Sequence, residues 1–270
     1  MIEILMPCIE RWHCIDLVLK NIRLATKPKD TQILAVVSAS DKYTDYLEKE
    51  LKKIFNKVRV VRNEVRGIDH DQLRKGWKTD KNWHTNINKQ KMLNIQRTYQ
   101  LMVENLDRTA DYYWFIEDDT LFPLNTYGYY IKQIKELKAD VISGVSYYWH
   151  EFQLSPRNFW ILKNEIKEGR NLPEIEPMPI QESGIVKLGA TGLGNVLAKA
   201  KVVKGWKPQY DIELGTGADI AFFHHCMVKE YNAYGIWDWY LPHITKYENG
   251  DFQILGRLKK GMEKLWNTKS

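Results

Sequence analysis

Three acids in a row, Glu117, Asp118 and Asp119, follow the segment Tyr112-Tyr113-Trp114-Phe115-Ile116. High β propensity that runs straight into carboxylates reads as a buried strand carrying charge at its tip. In an extended chain, residues i and i+2 project the same way, about 7 Å apart. Glu117 and Asp119 would then face one ligand while Asp118 faces elsewhere. Carboxylates this close repel one another, and a divalent cation or a donor-rich ligand between them relieves the repulsion. Oxygen donors suit Mg2+ or Mn2+, ions that commonly carry a substrate's phosphates. The competing reading is an acidic turn in which Asp119 or Thr120 caps the next helix.

Such a strand needs neighbours. Ile2 to Leu5 is a short apolar run stopped by Met6-Pro7, and Ile15, Val18, Leu19, Ile22 and Ala25 then recur at helical spacing. Ile33 to Ser38 is a continuous apolar run, as in a strand buried on both faces. Tyr43, Leu47, Leu51, Ile54 and Phe55 mark a second helix, and Val58 to Val61 a third strand. This alternation predicts an α/β fold with a mostly parallel central sheet flanked by helices. Residues 67–88 are polar and aperiodic, which predicts a long loop before a helix through Ile95, Tyr99, Met102 and Leu106. After the acids come a helix through Tyr130, Ile134 and Leu137 and a strand from Val141 to Tyr148. Beyond residue 150 the pattern decays into proline-marked chain, short strands over 184–197, a helix over 217–231 and a strand over 235–240. Ile254, Leu258, Met262 and Leu265 among basic residues predict an amphipathic C-terminal helix within 251–270. The acids would lie in the crevice at the carboxyl ends of the strands, the usual ligand site of such sheets.

The chain has 270 residues and 44% hydrophobic content, enough for one large domain with a full core. A net charge of +6 suits an anionic ligand, a membrane surface or nucleic acid without choosing among them. Three cysteines, an odd number with no CxxC pair, read as free thiols in a reducing compartment. The apolar start is too short for a signal peptide, and no stretch approaches the ~20 apolar residues of a membrane span. A soluble, cytoplasmic protein is expected, peripheral to a membrane at most, through the basic C-terminal helix. Residues 72–97 hold seven Lys or Arg against one acid, Asp80, with Trp77, Trp83 and His84 interleaved. That is the best seat for nucleic acid, yet it matches no binding motif, so such a partner is not expected.

The strand–helix alternation, the EDD at the end of a later strand, a glycine-rich stretch and then GTGADIAFFHH resemble a GT-A glycosyltransferase of family-2 type, over roughly residues 1 to 245. The resemblance implies a GT-A (Rossmann-like nucleotide-binding) fold in one catalytic domain over 1–250. Residues 1–148 would be its nucleotide-sugar-binding half and 149–250 its irregular acceptor-side half. The EDD would be a DxD motif, with Asp119 the direct ligand of Mn2+ or Mg2+, Asp118 on the ribose and Glu117 supporting sugar or metal. His243 would be a second metal ligand. Pro7 and Arg11 would line the nucleotide, with Arg11 toward phosphate, although Arg11 is equally a surface residue opening a helix. Asp41 would face the base, and is equally an N-cap. Lys91 and Asn94 would hold the nucleotide-sugar, and Gly192, Gly217 and Trp237 would lie on the acceptor side.

In the family an acid pair opens the late helix; here Ala218 replaces the first acid and Asp219 remains. Asp219 is the candidate catalytic base, since a hydroxyl of pKa far above 7 needs a carboxylate to take its proton. It is equally an ordinary charge at a helix start. His224 and His225 are adjacent on a helix, point apart and read as structural. The implied reaction moves a sugar from a UDP- or GDP-linked donor to a hydroxyl on a glycan, protein or lipid-linked acceptor; Asp219 as base implies inversion, and retention stays open because the fold hosts both outcomes. Three alternatives stay open. A sugar-phosphate nucleotidyltransferase would carry a GxGxR-like signature after the first strand, which MPCIERW lacks. A non-catalytic carbohydrate-binding protein has no need of these acids together, and a nucleic-acid-binding protein would show salt-dependent binding without nucleotide-sugar binding.

Overall fold

A computed structural model of the chain describes residues 1–64, 83–146, 148–150, 153–155, 159–162, 175–181, 183–208, 217–246 and 252–255. In chain order the elements are β1 (Ile2–Ile9), α1 (Ile15–Ala25), a 3-10 turn (Pro28–Asp30), β2 (Thr31–Ser38), α2 (Asp41–Ile54), β3 (Val58–Arg62), α3 (Trp83–Glu104), β4 (Tyr112–Ile116), α4 (Thr126–Glu136) and β5 (Val141–Ser146). Then follow β6 (Tyr148–His150), β7 (Gln153–Ser155), β8 (Trp160–Leu162), β9 (Ile175–Pro177), β10 (Ile185–Lys187), β11 (Asn195–Lys199), α5 (Ala200–Lys204), α6 (Ala218–Val228), β12 (Ala233–Leu241), β13 (His243–Lys246) and β14 (Phe252–Leu255).

Eight strands form one sheet in the order β10-β12-β5-β11-β4-β1-β2-β3. β1, β2, β3 and β4 run parallel, as do β5 and β12, while β11 and β10 run against their neighbours. This is the expected mixed α/β architecture with a mostly parallel sheet. β4 lies in the middle, and its residues alternate between two apolar layers. Trp114 and Ile116 join the layer under α1, α2 and α4, with Val18, Ile22, Leu47 and Tyr130. Tyr113 and Phe115 join the layer that holds Tyr99 and Met102 of α3 and Phe222 and Phe223 of α6. A strand buried on both faces has no polar alternation, which is why it reads as a continuous apolar run.

The chain enters the sheet at β1, moves outward through β2 and β3, and returns to the other side of β1 as β4. The order therefore reverses between β1 and β4, and a crevice opens there at the carboxyl ends of the two strands. Their ladder runs from Ile2↔Tyr112 to Leu5↔Phe115 and stops there. β1 continues past the expected stop, however, paired with β2 as far as Ile9. Pro7 thus sits within the strand, opposite Val36, past the last residue paired to β4, where a missing N–H is tolerated.

Two further expectations are corrected. The helix expected to start near Ile95 begins at Trp83, so residues 83–88 belong to α3 rather than to the loop. Local polarity hid this turn of helix, whose apolar periodicity is weak. Residues 252–255, expected to open the basic C-terminal helix, form β14 antiparallel to β13. Their β-capable Phe-Gln-Ile-Leu run found a partner that helical spacing could not reveal. The rest of that expected helix, 256–270, lies outside the described residues, as do 65–82. Among the described residues no helix is long and apolar enough to cross a membrane.

Candidate active site

The acidic turn after β4 is fixed from three sides by backbone. On one side the Glu117 N–H donates to the Gly194 carbonyl, 3.1 Å away. On another, Ile244 N–H donates to the Asp119 carbonyl and Leu121 N–H to the Pro242 carbonyl, each at 2.8 Å, and Thr120 and His243 form an isolated bridge. On the third, Ile9 N–H at the end of β1 donates to Asp118 Oδ2 at 2.8 Å. The following residue, Phe122, is clasped by buried Asn21 of α1. Phe122 N–H donates to Asn21 Oδ1 at 2.7 Å, and Asn21 Nδ2 donates to the Phe122 carbonyl at 2.9 Å. One side-chain amide therefore satisfies both groups of a buried peptide segment. The capping alternative does not apply, because α4 starts only at Thr126 with Asn125 as its N-cap.

This frame brings Glu117, Asp119 and His243 together, with one ligand atom from each within 4.8 Å of the others. His243 Nε2 lies 3.5 Å from Glu117 Oε2 and 3.2 Å from Thr120 Oγ1. Burial opposes charging of His243, but its hydrogen bond to Glu117 and the negative fields of Asp119 and Glu117 outweigh burial and hold its pKa above the ordinary value. Asp119 Oδ1 is buried without a hydrogen-bond partner. Two carboxylates, one of them with an orphaned oxygen, and an imidazole make a donor set that fits Mn2+ or Mg2+.

Asp118 is placed apart. It is buried, Oδ2 takes the Ile9 N–H, and Oδ1 lies 2.8 Å from Arg11 Nε. The geometry ties this carboxylate to the β1 loop rather than exposing it to a ribose. Burial pushes its pKa up to about 7, with Asp119 and Glu117 adding to the rise against the opposing Arg11 charge and Ile9 N–H. Arg11 also reaches Asp119, its Nη1 2.6 Å from Oδ2, so this side chain bridges both acids across the switch point. Burial would lower the Arg11 pKa, yet Asp118, Asp119 and Glu117 hold it above its ordinary value.

On the other flank of the acids, the glycine-rich segment is docked by Trp160, which exchanges backbone hydrogen bonds with Ala190 at 2.9 Å. Gly192 lies half-buried in the turn. The glycine that matters to the acids is Gly194, which sequence reasoning did not single out. A Cβ there would stand 2.5 Å from Glu117 Oε2 and 2.7 Å from its Cδ. Only its backbone position opposite the end of β4 shows this role, since any glycine of the stretch looks alike in sequence.

Asp219 is in the first turn of α6, whose N-cap is Gly217. A side chain at Gly217 would collide with the Asp219 carboxylate, so this glycine keeps the space open. Burial raises the Asp219 pKa and the Glu117 charge adds to it, against hydrogen bonds from the Ile220 N–H and its own N–H. Asp219 thus lies within electrostatic reach of the acidic cluster.

The remaining candidates sit on other elements of the fold. Asn94 of α3 accepts from Ser38 Oγ at 3.1 Å and from Asn63 Nδ2 at 2.7 Å, tying the helix to the ends of β2 and β3. Lys91 falls on the same helix, but its side chain lies outside the described residues. Asp41 is exposed and paired with Arg62, and the cap of α2 is Ser40, whose Oγ accepts from Tyr43 N–H at 3.3 Å. Trp237, expected on the acceptor side, is 1% exposed and packs edge-on against Phe159. It belongs to the core, because strand alternation along β12 puts it on the same face as Ala233, opposite Ile236. Its neighbour Trp239 stacks on Tyr129 with ring centroids 4.0 Å apart. His225 is held by the Val202 carbonyl at 3.1 Å on a different part of the fold. All three cysteines are free and buried, and burial pushes Cys14 up to about 12, so none is a poised nucleophile.

No protein-family model matches the sequence, and no curated protein matches it either. Solved structures do resemble the fold. A197 from STIV matches with a TM-score of 0.42 and 11% identity, over 96% of this chain and 98% of that one. S. aureus TarS matches with a TM-score of 0.49 and 13% identity, over 88% of this chain and 36% of that one. GalNAc-T7, solved with UDP, GalNAc and Mn2+, matches with a TM-score of 0.60 and 9% identity, over 93% of this chain and 45% of that one. The chain therefore spans less than half the length of the TarS and GalNAc-T7 chains. At these identities the likeness is one of fold, and the GalNAc-T7 match carries it: the chain has a GT-A-like glycosyltransferase fold.

Proposed function

We propose that this chain is a metal-dependent glycosyltransferase that moves a sugar from a UDP- or GDP-linked donor to a hydroxyl acceptor with inversion. The observation that carries the reading is the meeting of Glu117, Asp119 and His243 at the β1/β4 switch point, within electrostatic reach of Asp219. Ligands of open α/β sheets bind at such a point, and the GalNAc-T7 structure of like fold was solved with a nucleotide, a sugar and Mn2+.

Glu117, Asp119 and His243 would hold Mn2+ or Mg2+, with Asp119 as the central ligand. A bound ion supplies a Lewis acid that offsets charge growing on the leaving diphosphate. The protein's own groups do the rest. Asp219 accepts the proton of the acceptor hydroxyl as its oxygen bonds to the anomeric carbon and the bond from that carbon to the diphosphate oxygen breaks. Its raised pKa makes the carboxylate a stronger base than an ordinary aspartate. One displacement on the face opposite the leaving group inverts the anomeric centre. Asp118 serves as an anchor, holding the β1 loop against the acids through Ile9 and Arg11. Asn94, Asp41 and the loop after β1 line the side of the crevice proposed for the nucleotide.

Calorimetric titration of UDP and GDP, with and without Mn2+, tests the reading beside Asp119→Ala. Metal-dependent binding of one nucleotide, lost in the variant, is expected. Binding of neither nucleotide in the presence of metal would overturn the proposal.

A further inference from the structure

We propose that Arg11 is a resident counter-cation of the acidic cluster, which keeps the bare divalent ion out until it arrives with a nucleotide diphosphate. The inference rests on the glycosyltransferase reading and deepens it.

The motivating geometry is a guanidinium already bound where a cation is wanted. Arg11 follows β1, and its carbonyl accepts the Cys14 and Ile15 N–H groups at 3.1 Å each, in the first turn of α1. From this fixed backbone its side chain crosses the switch point to Asp118 Oδ1 and Asp119 Oδ2. Its side chain is 25% exposed, and those of Asp118 and Asp119 are 3% and 13% exposed, so solvent screens these charges weakly. A guanidinium does not lose its proton at any working pH, so this positive charge is permanent. Asp119 is shared between two tasks: one oxygen is held by Arg11, and the other is buried with no hydrogen-bond partner.

A dication bound to Asp119 would stand roughly 6 Å from the guanidinium, and their repulsion even in water is worth about tenfold in affinity. Glu117 and Asp119 with His243 would hold a free ion well, and the Arg11 charge offsets one of those two carboxylates. A nucleotide diphosphate changes the balance, because its negative charge faces both cations at once. Metal and nucleotide then bind as a pair, each raising the affinity of the other by the same factor. Arg11 is a positioning residue in this account, acting through Asp119 and through charge.

The test measures Mn2+ binding by the electron-spin-resonance signal of the free ion, alone and with UDP or GDP, in wild type, Arg11→Gln and Arg11→Lys. Wild type should bind bare Mn2+ weakly and at least about tenfold more tightly with its nucleotide. Arg11→Gln should bind bare Mn2+ about tenfold more tightly than wild type and gain less from the nucleotide. Arg11→Lys keeps the charge and should stay within about threefold of wild type for the bare ion. Unchanged or weaker bare-ion binding in Arg11→Gln, with nucleotide-dependent binding intact in wild type, overturns the inference and leaves the function reading standing. It would mean that the guanidinium only holds Asp119 in place. Equal Mn2+ affinity with and without nucleotide in wild type also overturns it, whether or not the variants fold. No Mn2+ binding by wild type with either nucleotide refutes both readings together.

Discussion

Gly194→Ala separates the acidic cluster from the fold that carries it. The added Cβ would stand 2.5 Å from Glu117 Oε2, 2.7 Å from Cδ and 3.2 Å from Cγ. Ordinary contact begins near 3.4 Å, so the carboxylate must retreat by about 1 Å. Every close atom belongs to one flexible side chain, which can swing aside. The substitution also removes the backbone freedom of glycine from the unfolded state, so stability should change by no more than about 1 kcal/mol. Ligand distances in a metal site hold within about 0.2 Å, and a displacement of this size removes Glu117 as a ligand. Mn2+ affinity in the presence of the bound nucleotide should fall at least about tenfold, or ~1.4 kcal/mol. The control is Gly144→Ala, where the new Cβ would press on the Trp239 carbonyl itself and lie 2.8 Å from the Tyr130 hydroxyl. Backbone cannot yield so cheaply, and overpacking there should cost about 1–3 kcal/mol. Calorimetric Mn2+ titration beside thermal melting reads both quantities. Wild-type Mn2+ affinity in Gly194→Ala, or a loss of melting temperature as large as that of Gly144→Ala, would refute the reasoning.

Three further outcomes are expected. Asn21→Ala leaves the Phe122 N–H and carbonyl buried without partners, and should destabilise the protein by about 2–4 kcal/mol in urea unfolding; a loss below ~1 kcal/mol would show that the clasp is dispensable. Asp118 has a folded-state pKa raised to about 7 from 3.8, so the stability its protonated form contributes is present below pH 4 and is lost as pH rises through 7. Asp118→Asn should therefore gain on wild type as pH climbs from 4 to 7, by at most about 1.4 kcal/mol per unit, and parallel stability curves would contradict this. Asp219→Asn should leave donor binding intact and lower turnover by about 10²–10⁴-fold, and full activity in that variant would remove Asp219 as the base.

Much of the frame is legible in the residues alone. β1, β2 and β4 are buried on both faces, so their apolar runs name them as central strands without any partner in view. The run of carboxylates after Ile116 marks the site because clustered charge at the end of a buried strand needs a reason. The i and i+2 spacing separates Glu117 and Asp119 from Asp118, and the folded chain gathers the first two with His243 while Asp118 goes to Ile9 and Arg11. Periodicity did not reach the start of α3 or the pairing of 252–255, because the polar turns of α3 carry no apolar stripe and a short β-capable run takes its state from its partner.

What the chain determined by itself is local: which segments are apolar on one face or two, where a strand must end, and which residue types could bear charge. Only the tertiary structure decided which distant residues share a volume. His243 stands beside Asp119 because the Ile244 N–H donates to the Asp119 carbonyl and the Leu121 N–H to the Pro242 carbonyl. Gly194, rather than Gly192, makes room for Glu117, and Trp237 packs into the core against Phe159. Arg11 is held by the acids because the strand order reverses between β1 and β4. Each of these contacts joins residues tens to hundreds of positions apart, and no local pattern encodes such a meeting.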